Sequence, residues 1–320
     1  MKLFVNYIKR GFFLFLITIS IIGIESCSKG TTVTPSPDPT PTPDSTPKRT
    51  RFVIYSQIRY NNTPADLSQY GISASVIHPP TQFLTADPNV TPTGNTNTDN
   101  TVINAPALAA LAKADLSVKT NVSIVLDIES WSYAASQIKG TVDSFTKAIN
   151  IYKAVNPKSP LGFYAGVPQI QYQLANITSN WYTVNTILKP VAQLMNFFAP
   201  SFYTRDPYSD SLNWKLFAQY NYQECKRLNP NIPVYAYIEP QYANSSQNNT
   251  TVAAWLEAGY WKFELEQLYD IGYDGVIIWT SNKDSNFDTT HKFIDFTTAI
   301  QQPWWQTTLD FIKEKNIVAQ

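Results

Sequence analysis

Cysteine and histidine are nearly absent from this chain. Two of each occur in 320 residues, Cys27 and Cys225, His78 and His291, and none stands at a spacing that holds a metal ion. With Cys27 assigned to another role below, Cys225 has no partner. A disulfide framework is therefore excluded, and the domain has to be held by its own core. Glycine is also scarce, at 11 residues, and no glycine-rich phosphate-binding run occurs. No cofactor is expected. Charge of either sign is not in excess, since 24 Lys and Arg meet 24 Asp and Glu. Such a balance offers no basic face to a nucleic acid, which is excluded as a partner.

Proline is plentiful and concentrated near the N-terminus. Lys2, Lys9 and Arg10 precede an apolar run over 11–24, too short for a folded membrane span and suited to a signal peptide over residues 1–26. The run ends Ile24-Glu25-Ser26-Cys27, which resembles the bacterial lipobox, with Glu25 as its unusual member. That resemblance implies lipidation of Cys27 and a chain anchored in the bacterial cell envelope, on either face of the outer membrane. Loss of the first 26 residues leaves 21 basic and 23 acidic residues, because Lys2, Lys9, Arg10 and Glu25 go with them. Residues 27–50 alternate Pro35, Pro37, Pro39, Pro41, Pro43 and Pro47 with Thr, Ser and Asp, an extended spacer without a core.

Residues 51–320 have the length of one α/β barrel, roughly 250 residues. Apolar, β-branched runs at 52–56, 72–78, 123–129, 161–167, 196–203, 232–239 and 275–279 read as strands. Stretches with apolar residues three and four apart, at 105–114, 137–155, 184–195, 212–227 and 252–271, read as helices. Strands alternating with helices imply a parallel sheet. The fold class predicted is α/β, a distorted TIM-like barrel of about seven parallel strands, acting as a monomer. Residues 78–101, rich in Pro, Asn and Thr, read as a long loop leaving the C-terminal end of a strand.

The run Ser123-Ile124-Val125-Leu126-Asp127-Ile128-Glu129-Ser130-Trp131 organises the rest. Alternate residues of a strand share a face, so Asp127 and Glu129 project together from a strand end, where like charges raise proton affinity. An acidic pair of this kind also caps helices and builds turns, and the pair alone does not separate the two readings. Other strand ends carry His78, Tyr164, Gln169, Tyr203, Arg205, Asp206, Tyr237, Glu239, Tyr242, Trp279, Ser281 and Asn282. Aromatic residues make up 14% of the chain, and their faces suit sugar rings as well as cores.

Five ordered blocks resemble the hyaluronidase family of glycoside hydrolases. They are the Asp127-Ile128-Glu129 run with Trp131, Leu161-Gly162-Phe163-Tyr164, Ala199-Pro200-Ser201-Phe202-Tyr203, Ile232-Pro233-Val234-Tyr235-Ala236-Tyr237 with Tyr242, and Gly275-Val276-Ile277-Ile278-Trp279. The resemblance implies a barrel that binds an oligo- or polysaccharide and cleaves it at N-acetylhexosamine. Glu129 would be the general acid and Asp127 the carboxyl that tunes it, while the substrate's own acetamido oxygen serves as nucleophile. Tyr203 and Tyr237 would hold that acetamido group and Trp279 would floor the sugar subsite, with Tyr164, Trp131 and Glu239 in the same cleft. Ser132 and Tyr133 depart from the family's arginine after the tryptophan. Glu239 stands where several members carry Arg or Gln, and it matches a polyanionic glycan poorly. Two other readings stay open: a glycan-binding lipoprotein without catalysis, and a hydrolase of neutral glycans using Asp206 or Glu239 as second carboxylate.

Overall fold

The short apolar runs become the wall of a barrel. A computed structural model describes residues 51–87, 101–118, 122–171, 174–243, 254–281 and 293–320. The signal peptide, Cys27 and the proline spacer lie outside the described residues, as do Asn282 and His291. The strands are β1 (Val53–Gln57), β2 (Ile72–His78), the short pair β3 (Leu84–Ala86) and β4 (Thr101–Ile103), β5 (Ser123–Asp127), β6 (Leu161–Tyr164), β7 (Tyr235–Ile238) and β8 (Gly275–Trp279). Six of them hydrogen-bond in the order β6-β5-β2-β1-β8-β7, all parallel.

The expected seventh strand, 196–203, fills the space between β6 and β7. Ala199 bridges to Tyr164, and Phe198 and Ser201 bridge to Val234 and Tyr237, every contact parallel. It stays a bridged segment because Pro200 within it and Pro233 opposite have no N–H to extend a ladder. The α/β distorted barrel is thus as expected. Several boundaries differ: β5 stops at Asp127, and β6 stops at Tyr164 because Ala165 turns the chain at φ 48°.

Alternation along the strands divides the core in two. Val53, Tyr55, Val125, Phe197, Tyr237 and Ile277 fill the barrel interior. Ile54, Ile124, Leu126, Phe163, Ile238 and Val276 face outward into a larger cluster under the helices. Those helices are α1 (Ala105–Asp115), α2 (Ile138–Val155), α3 (Ser179–Ala192), α4 (Ser211–Leu228), α5 (Ala258–Ile271), the single turn α6 (Phe296–Ala299) and α7 (Pro303–Glu314). In α2 the buried residues Ile138, Thr141, Phe145, Ala148, Ile149 and Tyr152 recur three and four apart, so one face lies on the sheet. The helix expected from 184 begins at Ser179, a turn and a half earlier, with Trp181 already buried. The helix expected from 252 begins at Ala258, and residues 252–253 lie outside the described residues. α7 lies beyond the last helix expected from the sequence. Pro303 opens it at a position whose N–H is not needed, and it buries Trp304, Trp305, Phe311 and Ile312.

The stretch read as a long loop after β2 contains regular structure of its own among its described residues. Pro80–Gln82 forms a 3-10 turn, Phe83 is fully buried, and β3 pairs antiparallel with β4. β4 then clips the turn beyond β5, because the Trp131 indole N–H donates to the Thr101 carbonyl at 3.3 Å and the Thr101 and Ser130 hydroxyls lie 3.0 Å apart.

Candidate active site

Parallel strands deliver all their C-terminal ends to one face. There the chain forms a cavity of about 350 Å³ lined by Arg59, Ile77, Pro79, Gln82, Asp127, Glu129, Tyr164, Tyr203 and Trp279. Five of these nine, Asp127, Glu129, Tyr164, Tyr203 and Trp279, are residues singled out from the sequence. Although the strand ends at Asp127, the two-residue repeat carries on far enough to put Glu129 on the same wall.

The carboxyl pair holds protons more tightly than isolated carboxyls do. Burial, reinforced by the neighbouring Glu129 charge and opposed by Arg59, pushes Asp127 up to about 7. Burial also raises Glu129, against the pull of Arg205. Asp127 Oδ1 is enclosed and has no hydrogen-bond partner among the described residues. The pair consequently keeps one proton to about pH 7. One wall is aromatic: Tyr203 stacks on Trp279 with centroids 5.5 Å apart and planes inclined by 25°, and Tyr164 lies 6.0 Å from Tyr203. Tyr164 donates to Ser201 Oγ at 3.0 Å, and the Tyr203 hydroxyl is hydrogen-bonded to Tyr164. The segment bearing Tyr203 is fixed from behind. Phe202 N–H donates to the Tyr237 carbonyl at 2.8 Å, Trp214 Nε1 donates to the Phe202 carbonyl at 3.1 Å, and the Thr204 hydroxyl donates to the buried carboxyl of Glu264.

Three expected contacts lie elsewhere. Tyr237 is wholly buried beneath the cavity, and its hydroxyl donates to Gln57 Oε1 at 2.8 Å. Gln57 Nε2 continues to Ser75 Oγ and Ser75 to the Ser123 carbonyl, each at 3.0 Å, so a polar ribbon crosses the barrel under the cleft. Trp131 is buried edge-on against Phe145 at 4.9 Å, where its indole serves the β4 clip and is not among the lining residues. Glu239 is 2% exposed, accepts a 3.4 Å bond from Ser281 N–H, and also lies off the cavity wall. Of the other strand-end residues, Tyr242 donates to Glu257 and Gln169 is tied through its backbone to Asn185 and Trp181.

Burial raises Glu239 to about 8, with the Ser281 N–H and Arg205 only partly opposing it. A carboxyl that is neutral at pH 7 cannot serve as the second carboxylate of a neutral-glycan hydrolase, and it adds no charge against an anionic glycan. Because the folded value lies above the ordinary carboxylate range, its stabilising contribution is complete in acid and disappears as pH rises through about 8. Glu239→Gln should therefore melt like the wild type near pH 4. At pH 9 it should gain on the order of a few kcal/mol, read from melting curves at the two pH values.

Arg59, Gln82, Ile77, Pro79 and Gln57 did not emerge from the sequence. A signal for two of them was present, since Val53, Tyr55, Gln57 and Arg59 continue the inward parity of β1. The backbone N–H of Arg59 is then pinned to the Thr280 hydroxyl at 2.8 Å. Among the described residues no cluster of three or more His, Cys, Asp and Glu side chains is arranged to hold a metal ion.

No family model and no curated protein matches the sequence. Among solved structures, bee venom hyaluronidase is similar with a TM-score of 0.53 and 15% identity, over 83% of this chain and 97% of that one. The same enzyme in complex with a hyaluronic acid tetramer gives a TM-score of 0.48 and 15% identity over 84% and 97%. An endo-1,4-beta-D-mannanase from Thermotoga petrophila gives 0.40 and 10% over 82% and 99%. At such identity the first of these likenesses speaks for the fold alone, and the chain is a distorted TIM-like barrel with the overall architecture of bee venom hyaluronidase.

Proposed function

We propose that this chain is a glycoside hydrolase that cleaves an N-acetylhexosamine-containing, glycosaminoglycan-like glycan by substrate-assisted, retaining hydrolysis. The observation that carries the reading is the Asp127–Glu129 pair, holding a proton in a cleft walled by stacked Tyr203 and Trp279. The barrel's likeness to bee venom hyaluronidase agrees with it.

In this reading one sugar lies on the Tyr203–Trp279 wall. Its 2-acetamido oxygen attacks the anomeric carbon as the glycosidic bond breaks, and Glu129 passes its proton to the departing oxygen. Asp127, kept close by the strand repeat, raises the proton affinity of the pair so that an acid is present near neutrality. Water then opens the cyclic intermediate from the same face, giving its proton to the Glu129 carboxylate, so configuration is retained. Incubation with a glycan panel should release new reducing ends from acetamido sugars only.

One observation favours a second reading, a glycan-binding protein without catalysis. The hydroxyls of Tyr237 and Tyr203, expected at the acetamido group, are engaged by Gln57 and Tyr164. Retained glycan binding with no reducing ends from any panel member would establish it. In either case the chain works from the cell envelope, tethered through lipid on Cys27 and held off the membrane by the 27–50 spacer. Cys27→Ser should release it into the soluble fraction and abolish incorporation of a labelled fatty acid.

A further inference from the structure

A TIM-like barrel normally follows each strand with a helix that covers its outer face. β1 has none: residues 58–71 hold only the 3-10 turn Ser68–Tyr70 before β2 begins. The two strands also part early. Their ladder ends at the Ser56–Ala74 pair, and from Ser75 onward β2 pairs with β5 instead. Ala74 is left exposed on the outer face.

A second cavity, of about 310 Å³, occupies this split. It shares Arg59 and Ile77 with the cleft of about 350 Å³, so the two adjoin. Both volumes fall at the lower end of small-molecule sites, roughly 300–1,000 Å³. Residues of both strand parities line it. Ser56 and Ala74 share the outward parity of Ile54 and Ile72, whereas Ser73 and Ser75 share the inward parity of Ile77. The cavity therefore passes through the barrel wall.

Its lining suits a hydroxylated guest. Thr63 adds a fourth hydroxyl to those of Ser56, Ser73 and Ser75, Pro64 and Leu67 add apolar surface, and Arg59 is the single charged residue. The Ser56 and Ser73 hydroxyls accept from the N–H groups of Ile58 at 3.4 Å and Gln320 at 3.0 Å, and donate to no described residue. Each keeps a hydrogen to give. Ser73 is only 3% exposed, and a buried donor is costly until an acceptor enters. Around the rim, Trp279 on β8 is followed by Arg59 after β1, Ile77 on β2 and Asp127 on β5. A sugar chain leaving the Tyr203–Trp279 wall in that direction crosses Arg59 into the split, with the carboxyl pair beside it.

We propose that the split between β1 and β2 is a second sugar subsite, which takes the pyranose unit adjoining the one on the Tyr203–Trp279 wall, with its ring hydroxyls on Ser56, Thr63 and Ser73 and its C–H faces on Pro64 and Ile77. This subsite rests on the glycosidase reading and adds where the neighbouring unit of the glycan lies. Affinity then depends on chain length through residues outside the cleft.

The test uses Glu129→Gln protein, which binds without turnover, and measures dissociation constants by NMR titration. The short probe is the methyl glycoside of N-acetylglucosamine; the long ones are N-acetylated chitotriose and a hyaluronan tetrasaccharide, which separate a neutral from an acidic neighbouring unit. At least one long probe should bind about tenfold tighter than the short one. Ala74→Trp, which fills the split from β2, should cancel that gain and leave the short probe within about twofold. Ala65→Trp fills it from the exposed loop, should do the same, and serves if melting curves show Ala74→Trp unfolded. A long-to-short ratio unchanged by either filled variant, equal loss for both lengths, or no gain with length would overturn this inference while leaving the glycosidase reading intact. If none of the three probes binds the unfilled protein, both fall together.

Discussion

Glu129→Gln removes turnover and leaves folding and glycan binding in place. The amide matches the carboxyl in shape but carries no transferable proton, so the loss should be that of a general acid, roughly 10²–10⁴-fold in kcat. Reducing-end release measured beside the melting temperature separates this from unfolding. Wild-type activity in the variant would remove Glu129 from the mechanism. The pH profile adds a second signature. The pair keeps its last proton to about 7, so kcat should fall about tenfold per pH unit above that value. In Asp127→Asn the like-charged neighbour is gone, and Arg205 still favours the ionised Glu129. The alkaline limb should then move to lower pH.

The other large effect is on stability. Gly275 opens β8 between β7 and β1, paired with both Tyr235 and Val53. A Cβ on Gly275 would stand 2.2 Å from the Val53 carbonyl oxygen and 3.0 Å from the Val53 carbonyl carbon. These are backbone atoms of the neighbouring strand, so relief demands that β1 and β8 separate where both are in the core. Gly275→Ala should cost roughly 3 kcal/mol or more, lowering the melting temperature by roughly 6–12 °C for a domain of this size. Gly140→Ala is the internal contrast. Gly140 lies in the first turn of α2 with nothing within 4 Å of the added carbon, and alanine there should stabilise by up to about 1 kcal/mol. Equal melting temperatures for the two variants would mean that the β1–β8 approach is not the constraint it is taken to be.

By itself the sequence determined the alternation of strands and helices, because hydrophobic periodicity is a local property of the chain. It also placed Asp127 beside Glu129, since a two-residue repeat needs no knowledge of what lies across the barrel. The Gly275-Val276-Ile277-Ile278-Trp279 run was legible as a strand for the same reason, though not the fact that its glycine faces the backbone of β1. Only the tertiary structure decided which polar residues reach the cleft. Tyr203 and Tyr237 look alike in sequence, yet Tyr237 is sealed below the floor by Gln57, 180 positions away, while Tyr203 meets Trp279. Trp131 faces Phe145 and β4, and Glu239 becomes a neutral carboxyl through enclosure. Burial and hydrogen-bond partners are set by residues brought together from distant parts of the chain, and a local pattern carries no record of them.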